Sequence, residues 1–308
     1  MKNWIKEFVI CTITPTLIPI VFGLIPQNHV SELANYIAML ICYIIVICIA
    51  IKHYKKTYKE VAEIRTRNIK GTAYTKSVQL CERKKNYLVN LTYPNAGKVD
   101  LLKEVYIPEK YIPYDVHGYV SEICMSFRDT ISEFTSVPQE YMSVTFIYHY
   151  DYPEANDDDK SWRWVIGKEA TTQIELNYFV TQCPTLYNYM VSGCHGDVTN
   201  VVFCNNKIEL ALTGHYQMSS RDKDHNQNGS VFAVKVAFGN NAHNFVEGIL
   251  LISTYGKKFV EAGSNFDVDE LKNVLLEELY PYYQRLLETE LGMLYLRHKK
   301  AQKEGTPE

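Results

Sequence analysis

The residues most able to do chemistry in this sequence are a thiol and an imidazole side by side. Cys194 and His195 stand in "SGCHGD", with Asp197 close behind. A cysteine deprotonated by a histidine would be a nucleophile, and a carboxylate could orient the base. Adjacent side chains on a strand face opposite ways, however, which argues against a working pair. Cys183, Cys194, His195 and Cys204 together offer zinc ligands, yet their spacing fits no knuckle or ribbon. The polar stretch "RDKDHNQNGS" alternates Asp222, Asp224, Asn226 and Asn228 as calcium loops do. Its glycine is misplaced and no terminal glutamate follows. No phosphate-cradling GxxxxGK, no dinucleotide glycine fingerprint and no GxSxG elbow occurs. The expectation is a protein that is not an enzyme and holds neither metal nor cofactor.

Binding chemistry is better represented. Trp162 and Trp164 flank Arg163 on a predicted strand, so both indoles point to one face, a face that belongs in a core. Indole and tyrosine rings also stack on nucleobases. The chain carries 24 Tyr, 12 Phe and 3 Trp. Arg221 and Lys223 sit in the polar loop before a strand, where a lid over an anionic ligand would place them. The net charge of −3 gives no global field that would draw in nucleic acid. Eight scattered cysteines lack the spacing of a disulfide framework and imply reduced thiols.

These residues need elements to hold them, and the first elements look like membrane helices. Phe8–Ile25 and Leu33–Ile51 are uncharged, and each approaches the ~20 residues a helix needs to cross the hydrocarbon. The short turn "PQNHVSE" joins them into a hairpin. Lys2 and Lys6 before the first run, and Lys52, Lys55, Lys56 and Lys59 after the second, predict both termini in the cytoplasm. Thr12, Thr16, Pro19 and Gly23 share one helix face in "CTITPTLIPIVFGLIP". That face is expected to line a pore or a helix interface.

Residues 52–114 read as a basic helical stalk and a connector, with turns and prolines in "LTYPNAGKVD" and "YIPEKYIPYD". Residues 115–300 read as a compact α/β domain, and residues 301–308 as a polar tail. Val116, Val120, Ile123, Phe127 and Ile131 have helical spacing. "YMSVTFIYHYDY", "SWRWVIG", "NVVFCNNK", "GSVFAVKVAFG" and "EGILLISTYG" read as strands. A long last helix, "VDELKNVLLEELYPYYQRLLETELGMLYLRHKK", is expected to bend at Pro281. The predicted fold class is therefore a membrane α-hairpin followed by an α/β domain with a mostly antiparallel sheet flanked by helices.

The phrases "WRWV", "VVFCNNK", "GSVFAVKV" and "LLISTYGKKF" resemble the GAF domains of bacterial sensor proteins, over about residues 115–300. The resemblance implies a six-stranded sheet with a pocket on one face, used to bind small molecules, often cyclic nucleotides, or to dimerise. It suggests Trp162, Trp164, Phe203, Asn205, Lys207, Arg221 and Lys223 as the ligand-binding set. The layout also resembles the two-helix membrane effectors of bacterial antiphage defence. It implies a homo-oligomer in the bacterial inner membrane that senses a nucleotide or oligonucleotide signal and changes the permeability of the lipid bilayer as an ion channel. The alternative is a membrane-anchored scaffold that dimerises and recruits a partner signalling enzyme, without ligand or conductance.

Overall fold

A computed structural model describes residues 32–92, 115–167, 175–182, 184–193, 198–261 and 267–304. The chain divides into two compact units, Met1–Arg67 and Asn68–Glu308. Helix α1 (Glu32–Thr92) is continuous, so residues on either side of Arg67 belong to different units.

The expected membrane hairpin is corrected here. Among the described residues no helix is long and apolar enough to cross a membrane. In α1 the apolar run ends at Ile51, and Lys52, Lys55 and Lys56 follow at once. The expectations of a transmembrane protein, an ion channel and an inner-membrane location are overturned by the same finding. Phe8–Ile25, with Thr12, Thr16, Pro19 and Gly23, lies outside the described residues.

The second unit is built on a five-stranded, wholly antiparallel sheet with strand order β2-β1-β5-β4-β3. Its strands are β1 (Met142–Tyr150), β2 (Arg163–Ile166), β3 (Val201–Cys204), β4 (Val231–Gly239) and β5 (Asn244–Thr254). β1 to β4 fall within the segments whose alternation and β-branched content predict strands, and β5 begins at Asn244, three residues before "EGILLISTYG". The resemblance implies six strands; the described residues form five.

Alternation along the strands gives the sheet two apolar faces. Phe146 and Tyr148 on β1, Phe232 and Val234 on β4, and Leu250 and Ile252 on β5 enter the larger core. That core is closed by the end of α1, by α2 (Val116–Thr135) and by α8 (Tyr280–Glu304). Ile147, Val231, Ala233 and Ile249 point the other way, under the short helices α3 (Leu176–Thr181), α4 (Leu186–Ser192) and α5 (Lys207–Leu212).

Local chemistry explains the long helices. Asp115 caps α2 by accepting from the Gly118 N–H at 2.7 Å, and Ser136 ends it in the left-handed conformation at φ 63°. Val116, Val120, Ile123, Phe127 and Ile131 are buried on one face of that helix. Before α8 come α7 (Val268–Asn273) and a π-helical turn, Val274–Leu279. Pro281 has no N–H to return to Glu277, and the turn preceding it is the widened one. The interruption expected at the proline thus takes the form of a π-turn that ends at Leu279, two residues before it.

Candidate functional site

One end of the sheet gathers the end of β3, the starts of β4 and β1, and the residues just after β5. Lys207 opens α5 there, and its side chain is fully buried. Its Nζ donates to Asp222 Oδ1 at 2.6 Å, and Asp222 is also fully buried. Asp222 lies in α6 (Ser220–Asp224), whose start carries a reciprocal capping box with Ser219. Asp222 Oδ2 accepts from the Tyr216 hydroxyl at 2.9 Å, the Ser219 hydroxyl at 2.7 Å and the Ser219 N–H at 2.9 Å. Both carboxylate oxygens are therefore engaged, as a buried charge requires.

Aromatic rings complete the arrangement. Lys207 Nζ lies 3.8 Å from the centroid of Tyr255, and the Arg221 guanidinium lies 4.2 Å from the same centroid. Arg221 also donates to the Glu140 carbonyl at 3.3 Å and keeps part of its surface exposed. The backbone beneath is tightly drawn. The Lys207 N–H donates to the Gly229 carbonyl at 3.0 Å. A Cβ on Gly229 would stand 2.2 Å from the Thr254 carbonyl oxygen and 3.3 Å from Lys207 Cε. Only glycine fits at that crossing.

Electrostatics follow from the burial. Desolvation pulls the Lys207 ammonium down to about 8, partly offset by Asp222. Burial works to raise the Asp222 carboxyl, but the Lys207 ammonium and the Ser219 donors outweigh it and hold it below the ordinary range. Tyr216 is pushed up by burial and by the neighbouring Asp222 charge.

The structure separates the predicted ligand residues. Trp162 and Trp164 do share a face, packed in the smaller core, with Trp162 against the His149 ring at 4.1 Å. Phe203 faces the larger core and stacks on Phe259 at 6.1 Å. β2 and β3 are opposite edges of the sheet, four strand spacings or about 19 Å apart. Asn205 is a pin: its amide donates to the Val260 carbonyl and accepts from the Val260 N–H, both at 2.9 Å. Lys207 has its charge matched internally, and Lys223 is exposed. Of the seven residues, Lys207 and Arg221 meet, around Tyr255.

Cys183, Cys194, His195 and Asp197 lie outside the described residues. Cys204 is half-buried with its thiol on the Asn206 carbonyl at 3.0 Å, and burial pushes the thiol up. Among the described residues no group of side chains could hold a metal ion. Asp222 turns inward to Lys207, not toward a calcium loop.

A second buried polar cluster ties α8 to the β1–β2 turn. His298 Nε2 lies 2.9 Å from Asp159 Oδ1. The Tyr152 hydroxyl and the Gln302 amide donate to Asp159 Oδ2 at 2.6 and 2.9 Å. His298 also stacks on Tyr150 at 3.9 Å between centroids. Asp159 belongs to "NDDDK", which reads in sequence only as a turn. Burial would raise its carboxyl, but the donors and His298 keep it low. Glu247 is held low by the bond to His149, against its burial.

These three depressed carboxyls set the acid stability. A native group below its ordinary value binds fewer protons than the unfolded chain, so its contribution is complete above about pH 4 and lost as pH falls through the native value. The urea midpoint is expected to hold between about pH 5 and 7 and to fall steeply below about pH 4. Asp222→Asn should flatten that fall; an unchanged profile in this variant would remove Asp222 from the account.

No family model, no curated protein and no solved structure matches the chain.

Proposed function

We propose that the chain is a regulatory protein that works by binding and not by catalysis. Its second unit takes up a small anionic signal of nucleotide type at the Arg221–Tyr255 corner. The response passes to α1, where a separate partner or another copy reads it. The observation that carries this reading is how α1 is seated. Ile69, Ala73, Ser77 and Leu80 are buried in the domain. The Tyr119 hydroxyl of α2 donates to the Leu80 carbonyl at 2.5 Å, and Lys84 pairs with the buried Glu290 of α8. A shift of α2 or α8 therefore moves α1, because a packed core is bistable and does not deform continuously.

The GAF-like resemblance is supported by long helices on one face of an antiparallel sheet and short ones on the other. Arg221 keeps part of its surface exposed beside the Tyr255 ring, where a phosphate could reach it. A second reading, a scaffold that recruits a signalling partner without any ligand, is favoured by one observation. Lys207, the expected ligand cation, is already neutralised by Asp222.

Thermal unfolding of the full chain with mononucleotides, cyclic mononucleotides and cyclic dinucleotides separates the two. A ligand at a hundredfold excess over its Kd should raise Tm by roughly 5–10 °C. Arg221→Ala should abolish the rise without lowering the ligand-free Tm by more than about 2 °C. No rise with any of these nucleotides would leave the scaffold reading.

A further inference from the structure

Before it enters the second unit, α1 carries a seam of exposed apolar side chains. Ile37, Leu40, Ile44 and Ile47, then Ile51, Tyr54, Tyr58 and Val61, follow one another at alternating spacings of three and four residues. Every one of them is exposed. This is the apolar repeat of a coiled coil, held over about 36 Å of helix. A straight helix drifts by about 20° per heptad, so a strict seven-residue repeat stays on one line only where helices wind around each other.

Before Ile51 exposed isoleucines stand off the seam as well, at Ile41, Ile45 and Ile49. The side chains after Ile51 therefore fix it. Lys52, Lys55, Lys56, Lys59, Glu60 and Glu63 all avoid the seam, and Lys56 meets Glu60 at 3.9 Å on the outer face. The Tyr54 and Tyr58 rings stack along it, with centroids 6.4 Å apart. The next positions in the spacing are Arg65, Asn68 and Thr72, so the seam stops where the first unit ends, at Arg67. Tyr74 and Val78 are exposed farther along but do not continue it.

The residues beside the seam say what covers it. In a coiled coil the flanking positions meet across the interface, and their charges select the partner. Here one flank is Tyr43, Ala50, Thr57 and Ile64, and the other is Ile41, Cys48, Lys55 and Ala62. The helix is strongly basic at this point, with four lysines between residues 52 and 59. A seam meant for an acidic helix would carry those lysines on its flanks; three of the four stand away from it. Two identical helices can thus close on the seam without setting lysine against lysine. We propose that α1 packs along this seam against another copy of this chain. Each copy presents the same surface, so one contact covers the apolar stripe of both. Lys55, the single flanking charge, lays its methylene stem along the edge and keeps its ammonium in water. The seam lies in the first unit, goes beyond the signal-binding corner and does not involve Arg221.

Sedimentation of the full chain and three variants tests this. The wild type is expected to associate in the micromolar range. Ile51→Glu and Val61→Glu, both on the seam, should each raise the dissociation constant about a hundredfold or more. Ile49→Glu is the control. Ile49 is 49% exposed and Ile51 50%, so the two differ in heptad position and not in the apolar surface they remove. Ile49→Glu should change the constant by less than about threefold. None of these positions lies in the second unit, whose urea midpoint should stay at the wild-type value. A chain monomeric throughout the micromolar range overturns the proposal. Equal losses in Ile49→Glu and Ile51→Glu overturn it too, because a lipid surface or unspecific clustering covers isoleucines without regard to spacing. Nucleotide binding is read separately. A monomeric chain whose Tm still rises with nucleotide loses the seam and keeps the signal-binding corner, and an intact seam with no rise does the reverse.

Discussion

Lys207→Met is expected to lower the stability of the second unit by about 3–5 kcal/mol, among the largest single-site effects available in the protein. The substitution preserves volume and removes the ammonium that answers Asp222, at a position with no exposed surface. Tyr216 and Ser219 remain as donors, but hydrogen bonds alone do not balance a buried carboxylate. The double variant Lys207→Met with Asp222→Asn should recover more than half of the loss. Its neutral amide still accepts from Tyr216 and from Ser219. Urea unfolding followed by tryptophan fluorescence measures both, provided m stays constant. A double variant no better than the single would show that the pair acts separately and not as a unit. If the single variant has wild-type stability, the ion pair is not the clamp described here.

The second large effect concerns the seat of α1. Ala73 has no exposed surface and faces the core. Ala73→Glu therefore places a carboxylate in the larger core, at an expected cost of roughly 3–4 kcal/mol. The helix end has a cheaper escape than global unfolding, which is to lift from α2 and α8. Amide exchange over residues 68–86 should then speed by about a hundredfold, while the β1, β4 and β5 amides keep most of their protection. Ala73→Ser, small and able to bond within the helix, should change exchange little. Equal loss of protection in the sheet would mean that α1 and the sheet form one cooperative unit. Protection unchanged along α1 would refute the seating on which the proposed signal route depends.

The antiparallel sheet was legible because its strands are written twice in the sequence. "YMSVTFIYHYDY" and "GSVFAVKVAFG" carry both the β-branched content and the alternation, and each forms one strand in the expected span. An interruption of the last helix near Pro281 was legible as a missing donor, though not its form as a π-turn. The membrane hairpin was read from two uncharged runs, the short turn between them and the flanking lysines. In α1 the same apolar run continues into lysines without interrupting the helix.

The site was less legible because its members meet only through the fold. "SSRD" does carry a capping pattern, and Ser219 with Asp222 could have been paired from it. Nothing local marks Asp222 as the partner of Lys207, or His298 as the partner of Asp159 more than a hundred residues earlier.

By itself, then, the sequence determined which segments form strands and helices, where proline interrupts them, and which side chains face a core. Those properties are set by contacts within a few residues. The tertiary structure alone decided that Lys207 is neutralised inside while Arg221 keeps exposed surface. It also put Trp162 and Phe203 on opposite faces and left Tyr74 and Val78 uncovered. Each of these depends on long-range packing that desolvates one charge and leaves another in water, and no local pattern records that balance.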